Sequence, residues 1–300
     1  MGQNNPGPHP GIDLSKPSAS RVYDRLLGGG HNFPPDRELA TRLLACMPDA
    51  AHAARSNRAF LRRVVHHLVD AGVRQFLDLG SGIPTVGNVH EIARKRAPRC
   101  TVVYVDNDPI ATAHSRLILG QDPRTVAVEA DLRDVDAVVS APEVQAMLDF
   151  TRPIAVLMCA VLHFVPDSDD PVGIVRRYCD AVRPGSYVAL SHATDDDYPE
   201  DLAAAISLYR DGGISGTARG RHAVTELFTG LELVEPGVVF ADEWRPEGRD
   251  EVDPRRSRCY AGLALKPDRA AGSPKQDRPG QTRWDVGIRP REQDRHGRYP

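Results

Sequence analysis

The chain contains 300 residues, of which 41% are hydrophobic and 26% are charged, and its formal net charge is −3 at pH 7. The hydrophobic content is sufficient for one large α/β domain or two small ones. The slight acidic excess gives no electrostatic argument for a nucleic acid or an anionic membrane surface as a partner. The five cysteines form no Cys-x-x-Cys pair, so neither a disulfide framework nor a zinc site is predicted, and no metal ligands are assigned. No apolar run reaches transmembrane length and no signal-peptide core is present, which favours a cytoplasmic protein.

The first quarter of the chain is predicted to be helical after a short lead-in. Residues 1–12 are rich in proline and glycine and are expected to be disordered. Residues 13–72 place their apolar side chains at helical spacing, which predicts a helical cap. Three helices are expected there: one after Ser18 as its N-cap, one over Asp36–Cys46 and one over Ser56–Ala71. A glycine run at 28–30 ends the first of them and predicts a hinge or a close contact.

The stretch from Gln75 to Gly82 organises the rest of the chain. A short apolar run contains Asp78 and then breaks into Gly80, Ser81 and Gly82. This pattern is typical of the first strand and loop of a doubly wound α/β domain. The glycines allow the backbone to approach a ligand closely, and the helix predicted over 86–97 offers unpaired N–H groups at its start.

Two further β-branched runs end in acidic residues. The first run ends at Asp106, whose separation from Asp78 along the chain is close to that expected for an acid that binds a ribose. The second run is followed by Asp131 and Leu132. Because the carboxyl ends of parallel strands meet at one edge of a sheet, these acids are expected to form a polar cradle of nucleoside size. The sequence therefore predicts a nucleoside ligand.

The loop distinguishes between nucleosides. A dinucleotide fingerprint requires a third glycine, but Ile83, Pro84 and Thr85 follow Gly82, and no Gly-Lys-Ser/Thr of a P-loop is present. Asp78 would repel a pyrophosphate and attract an ammonium group. S-adenosylmethionine (SAM) carries an ammonium group and no phosphate, so it is favoured over NAD, and an NAD(P)-dependent oxidoreductase is the less favoured alternative.

The run from Pro17 to Phe33, together with residues 78–82 and 104–109, resembles a bacterial family of S-adenosyl methyltransferases long described as a domain of unknown function. The resemblance extends over about residues 12–267. It implies a class I methyltransferase-type α/β fold, with a doubly wound, mostly parallel seven-stranded sheet, helices on both faces and an N-terminal helical cap. The SAM-binding domain would occupy residues 73–267. The resemblance implies no particular methyl acceptor.

The class I pattern also implies roles for individual residues. Asp78, Gly80, Ser81 and Gly82 would surround the methionine moiety, and Asp106 would bind the ribose hydroxyls. The adenine would contact three further residues, Asn107 beside the ring, Asp131 at the amino group and Leu132 through its backbone N–H. The loop departs from the common class I form because Ile83 and Pro84 replace its third glycine. Asp131 has a second interpretation as the cap of the following helix.

The remaining sequence predicts the rest of such a sheet. Strands are expected over 154–162 and 187–191, with an antiparallel pair formed by 231–240 and 260–265. A helix is expected over 171–182, and the segment 195–222 lies where this class of enzyme often places acceptor-binding elements. Residues 268–300 are charged and contain few core-forming residues, which predicts a disordered tail.

Four residues are candidates for the chemistry. Methyl transfer from a sulfonium requires mainly positioning, but a hydroxyl or amine acceptor can require removal of a proton. His163, His192 and His31 are candidate bases and Tyr23 is a candidate positioning residue, although each also fits a packing role. We expect a SAM-dependent methyltransferase acting on a small molecule, with neither nucleic acid nor membrane as a partner. A non-catalytic SAM sensor or partner-binding module is the alternative, and the oligomeric state is not predicted.

Overall fold

The computed structural model describes residues 13–84, 87–248 and 252–268, which belong to one compact unit. The expected disorder of residues 1–12 and of the tail beyond Asp268 concerns residues outside these ranges. Within these ranges, no helix is both long enough and apolar enough to cross a membrane.

A single mixed sheet forms the centre of the molecule. Its strands are β1 (Gln75–Leu79), β2 (Thr101–Asp106), β3 (Thr125–Glu129), β4 (Ala155–Cys159), β5 (Tyr187–Ala193), β6 (Glu232–Leu233), β7 (Val239–Phe240) and β8 (Cys259–Leu265). The strand order is β3-β2-β1-β4-β5-β8-β6, and β7 also pairs with β8. The strands β1 to β5 pair in parallel, whereas β8 runs antiparallel to β5, β6 and β7. The expected class of fold is confirmed.

The sheet has eight strands instead of the seven expected. The predicted strand over 231–240 is divided into β6 and β7 by a turn over 234–237. Pro236 has no N–H to donate to a neighbouring strand, and Gly237 has φ +83° and donates its N–H to the Val234 carbonyl at 2.9 Å. The turn removes these residues from the ladder, so one strand of the expected topology becomes two short ones.

Helices cover both faces of the sheet. They are α3 (Ala50–Asp70), α4 (Val89–Arg96), α5 (Pro109–Leu119), α6 (Val135–Ser140), α7 (Pro142–Met147), α8 (Pro171–Ala181) and α10 (Arg221–Glu226). Successive side chains of a strand point to opposite faces. Accordingly, Phe76 packs in the core with α3 and α4, whereas Leu77 and Leu79 pack in the core with α6, α7 and α8. The burial of both faces explains the nearly continuous apolar character of the central strands.

The cap consists of α1 (Ala19–Leu26), α2 (Pro34–Cys46) and the start of α3, which pack against α9 (Pro199–Asp211) in a third hydrophobic cluster. The three helices predicted from the sequence are present, but α3 begins six residues before the expected Ser56. Ser18 occupies the N-cap position of α1 without making a capping bond. Its hydroxyl instead donates to the carboxylate of Asp108, between β2 and α5. The predicted N-cap position of Ser18 is therefore confirmed, but its side chain joins the cap to the sheet instead of capping the helix.

Candidate cofactor and substrate site

A cavity of about 740 Å³ lies between the carboxyl ends of the central strands and the helical cap. This volume is within the range of about 300–1,000 Å³ that is typical of small-molecule sites. The cavity is lined by all eight residues for which the sequence predicted cofactor contacts: Asp78, Gly80, Ser81, Gly82, Asp106, Asn107, Asp131 and Leu132. We call this part of the cavity the cofactor half.

The glycine loop after β1 is fixed against the end of β2. The N–H groups of Gly80 and Ser81 donate to the Val105 carbonyl at 2.8 and 3.1 Å. Gly80 has φ +67°, and a Cβ atom on it would lie 2.2 Å from a side-chain carbon of Val161. Gly82 has φ +64°. The loop requires glycine at Gly80 for two independent reasons, its backbone conformation and the lack of space.

Asp78 is a buried carboxyl group on the wall of the cofactor half. Asp78 belongs to β1 and is 6% exposed. No described residue forms a hydrogen bond with its carboxyl group. Burial raises the pKa of Asp78 to about 7 although Arg58 favours the charged form, and Asp106 adds to the increase. A buried acid without a hydrogen-bond donor is costly to ionise. A cationic group at this position would stabilise the ionised form.

Asp106, by contrast, is held by the backbone. One carboxylate oxygen accepts the Gly82 N–H at 2.7 Å and the other accepts the Asp108 N–H at 2.8 Å. Burial nevertheless raises the pKa of Asp106 to about 6. These two bonds fix the carboxylate beside the glycine loop while each oxygen keeps a second lone pair for a ligand donor.

Asp131 is engaged by a neighbouring arginine. Its carboxylate accepts hydrogen bonds from Nε and Nη2 of Arg133, and hydrogen bonds from the Arg133 side chain are the main reason that its pKa is lowered. Asp134, not Asp131, caps the following helix α6 by accepting the Ala137 N–H. The alternative interpretation of Asp131 as the helix cap is therefore wrong.

His192 is fully buried and both of its ring nitrogens have partners. Nε2 lies 2.7 Å from Nη1 of Arg219 and Nδ1 lies 2.7 Å from the Ala193 carbonyl. Because a guanidinium only donates, Nε2 is the acceptor and Nδ1 carries the hydrogen. Burial lowers the pKa of His192 to about 4. This arrangement leaves no nitrogen free to accept a proton from a substrate.

His163 lines the cavity next to His192, with the two ring centroids 5.7 Å apart. Burial is the main cause that lowers the pKa of His163 to about 3, with smaller contributions from His192 and Arg219. The imidazole is therefore neutral at physiological pH. It can form a hydrogen bond to a ligand, but it is a weak proton acceptor.

The other two candidates differ in position. The Tyr23 hydroxyl lines the cavity, donates to the Ala54 carbonyl at 3.1 Å and accepts from Nδ2 of Asn57 at 2.8 Å. Asn57 accepts in turn from Ser191 of β5 at 2.5 Å, so Tyr23 connects the cap to the sheet. His31 is exposed, packs against the His114 ring at 5.0 Å between centroids and does not line this cavity.

The connection between the cap and the cofactor half was not predicted from the sequence. The hydroxyls of Ser18 and Ser20 donate to Asp108, the Ser20 bond being 2.9 Å long, and the Arg21 guanidinium lies 3.6 Å from the same carboxylate. Arg21 is also paired with the fully buried Asp36 at the start of α2, at 2.8 Å. No spacing pattern relates these residues, because the two serines lie about ninety positions before Asp108.

The strand order, the glycine loop after β1 and the acid at the end of β2 define a class I SAM-dependent methyltransferase fold with a helical cap. The chain belongs to the S-adenosyl methyltransferase family, whose model matches residues 6–267. The resemblance inferred from the sequence is confirmed, and the protein is a methyltransferase whose cofactor is SAM.

Two solved structures are similar to most of the chain. One is a DUF574 family protein from Streptomyces avermitilis, with 40% identity and a TM-score of 0.82, covering 85% of this chain and 99% of that chain. The other is described as a "putative methyltransferase" from Thermobifida fusca, with 39% identity and a TM-score of 0.82, covering 87% of this chain and 99% of that chain. No curated protein matches the chain.

Proposed function

We propose that the protein transfers the methyl group of SAM to a small-molecule acceptor inside the cavity beneath the cap. The observation that carries this proposal is the continuity of the cavity, which extends from the acid-lined strand edge to the apolar interior of the cap. Cofactor and acceptor would share one concave space beneath the cap. Such a space suits a small molecule better than a nucleic acid or a membrane lipid in its bilayer, which would require an open surface.

The residues of the cofactor half fit the cofactor. Asp78 would hold the ammonium group beside Gly80, Ser81 and Gly82, because its buried carboxyl lacks a donor from the described protein. Asp106 would accept from the ribose hydroxyls, and the adenine would lie near Asn107, Asp131 and Leu132. When bound, SAM supplies an electrophilic methyl group on a positively charged sulfur.

The chain itself contributes position and exclusion of water. His192 and Tyr23 have saturated hydrogen bonds, and His163 is a neutral imidazole of low pKa. We infer that catalysis relies on holding the acceptor in line in a dry cavity and not on a strong general base. Tyr23 would act as a positioning residue, and His163 would orient the acceptor through a hydrogen bond.

The proposal is tested by calorimetric titration of the purified protein with SAM and S-adenosylhomocysteine (SAH). We expect micromolar binding of both ligands and a loss of roughly 100-fold or more in Asp106→Ala, since that substitution removes the carboxylate assigned to the ribose. Asp136→Ala, at an exposed position of α6, is the matched control and should bind as the wild type does. Retained affinity in Asp106→Ala would refute the assigned site.

We also propose the cytoplasm as the location of the protein. All five cysteines are free thiols, which is the usual state in a reducing compartment. Fractionation of the producing cells with an antibody against the chain would test this. Recovery in a secreted or periplasmic fraction would contradict it.

A further inference from the structure

The cavity continues from the cofactor half into the hydrophobic cluster of the cap. The residues that both line this continuation and belong to that cluster include Leu26, Leu43, Met47, Leu202, Ala205 and Ile206. We call this continuation the acceptor chamber. The cap core is therefore hollow, and its own side chains form the chamber wall. An apolar cavity of this kind binds apolar molecules readily, because little water has to be displaced from polar partners.

An aromatic wall closes the chamber towards the sheet. The ring centroids of His163 and Phe164 are 4.3 Å apart. Those of Phe164 and Tyr209 are 5.8 Å apart, and these two rings are arranged edge to face. All three residues line the cavity. Aromatic rings arranged in this way provide faces and edges against which another ring packs favourably.

The charges near the chamber are balanced. Arg258 lines the cavity, its Nη2 binds Asp49 and Asp201, each at 3.0 Å, and its guanidinium stacks on Tyr198. Asp49 also pairs with Arg256, so these four side chains carry no net charge. Nε and Nη1 of Arg258 are buried without a hydrogen-bond partner among the described residues. Asp13 and Lys16 also line the cavity and pair with each other at 3.8 Å. Because these groups of described residues are each balanced in charge, an ionised acceptor would add a charge without a net countercharge, and the cost of burying it would not be offset.

Two rings of the aromatic wall carry a polar atom without a hydrogen-bond partner among the described residues, namely Nδ1 of His163 and the hydroxyl of Tyr209. The hydroxyl of Tyr209, on the last turn of α9, forms no hydrogen bond with any described residue, although the side chain is partly buried and lines the cavity. Buried tyrosine hydroxyls usually have a partner. Tyr209 can therefore bind a single polar atom of a ligand that is otherwise apolar.

From these observations we propose that the methyl acceptor is an uncharged aromatic small molecule, with its ring in the acceptor chamber and one polar atom bound by Tyr209. This inference rests on the proposed function, because it places the acceptor beside the cofactor half. It also assigns specificity to α9 and the cap instead of to the strand edge.

The first test uses the full-length protein saturated with SAH and three ligands of one shape, namely naphthol, naphthoate and naphthylmethylammonium. Calorimetry should show naphthol binding with a dissociation constant about tenfold or more below those of the two ions. The saturated analogue decahydronaphthol should bind more weakly than naphthol. Equal or tighter binding of either ion or of the saturated analogue, or no binding of naphthol, would overturn the proposal.

Two variants locate the bound probe. Ala205→Phe fills the chamber and should weaken naphthol binding about tenfold or more without changing SAH affinity, whereas Ala203→Phe, on the exposed side of α9, should change neither. Tyr209→Phe, which removes one oxygen, should weaken naphthol binding about 3- to 10-fold and leave naphthalene binding unchanged. Wild-type naphthol affinity in Ala205→Phe or in Tyr209→Phe would contradict the assigned chamber.

The outcomes separate the two proposals. If the wild-type protein does not bind SAH, the cofactor site of the proposed function fails. If it binds SAH but prefers a charged probe or binds none, only the acceptor inference fails.

Discussion

The cofactor half is built from strand ends and backbone turns, whereas the acceptor chamber is built from side chains of α1, α2 and α9. In the cofactor half, Gly80 and Asp106 are held by hydrogen bonds to the backbone of neighbouring elements. In the chamber, contacts are mainly apolar and come from helices that are distant in sequence. The cofactor half therefore holds its binding groups rigidly for one cofactor. The acceptor chamber can change its specificity through substitutions that leave the sheet intact.

The largest effect on this comparison is expected at the glycine loop. Gly80→Ala places a Cβ against Val161 in a strained backbone conformation, and we expect SAM affinity to fall roughly 100-fold, with destabilisation of about 2–4 kcal/mol. Gly72→Ala is the matched control, because Gly72 also has positive φ but nothing lies within 4 Å of its added Cβ. Gly72→Ala should lower the free energy of unfolding by about 1 kcal/mol, as measured by urea unfolding. Its SAM affinity in calorimetry should equal that of the wild type. Similar behaviour of the two variants would show that crowding by Val161 is unimportant.

The next effect is a pH dependence that belongs to the cofactor half alone. Asp78 has a pKa of about 7, and an ammonium ligand requires its ionised form. SAM affinity should therefore fall about tenfold or more between about pH 7.5 and 5.5, while naphthol affinity in SAH-saturated protein should stay constant at each pH. A flat SAM profile over this range would argue against the ammonium contact of Asp78.

The substitution Asp78→Asn tests the buried carboxyl of the cofactor half through the stability of the protein. Because folding raises the pKa of Asp78 above its ordinary value, the group favours the folded state below about pH 4 and loses this contribution as pH rises through about 7. In the absence of ligand, we expect Asp78→Asn to be more stable than the wild type by roughly 1–3 kcal/mol at pH 8 and to bind SAM poorly. Urea unfolding at several pH values measures this, and a destabilised variant at pH 8 would contradict it.

The smallest effect is expected where the two halves meet. Removing both hydroxyls with Ser18→Ala and Ser20→Ala breaks the contacts to Asp108 and should weaken SAM binding only about threefold, since the residual Arg21 contact remains. Ser168→Ala, at an exposed serine, is the control. An unchanged affinity in the double variant would mean that the cap is not coupled to the cofactor half.

The two regions also differed in how far the sequence revealed them. The doubly wound sheet, the glycine loop and the position of the acids at 78, 106 and 131 beside the cavity could be predicted, because each of these residues lies at or just after the end of a recognisable strand. The ion pair of Asp131 with Arg133 could not be predicted, because the sequence allowed the Asp131 side chain either to contact the adenine or to cap the following helix. The division of the sixth strand was missed although Pro236 and Gly237 marked the turn.

The acceptor chamber was not predictable beyond the general location of 195–222. Leu43 and Ile206 lie far apart in the chain, and either would be interpreted from the sequence as an ordinary core residue of an amphipathic helix. Likewise, the saturation of His192 by Arg219 depends on a loop that brings the two residues together. Packing between helices decides these features, and periodicity does not encode it.

The crystal structure of the protein with SAH would test the cofactor half most directly. We expect the ammonium group within hydrogen-bond distance of Asp78, the ribose hydroxyls on Asp106 and the sulfur facing the acceptor chamber. A ligand bound elsewhere, or bound with Asp78 and Asp106 uncontacted, would contradict the assignment of the cofactor half.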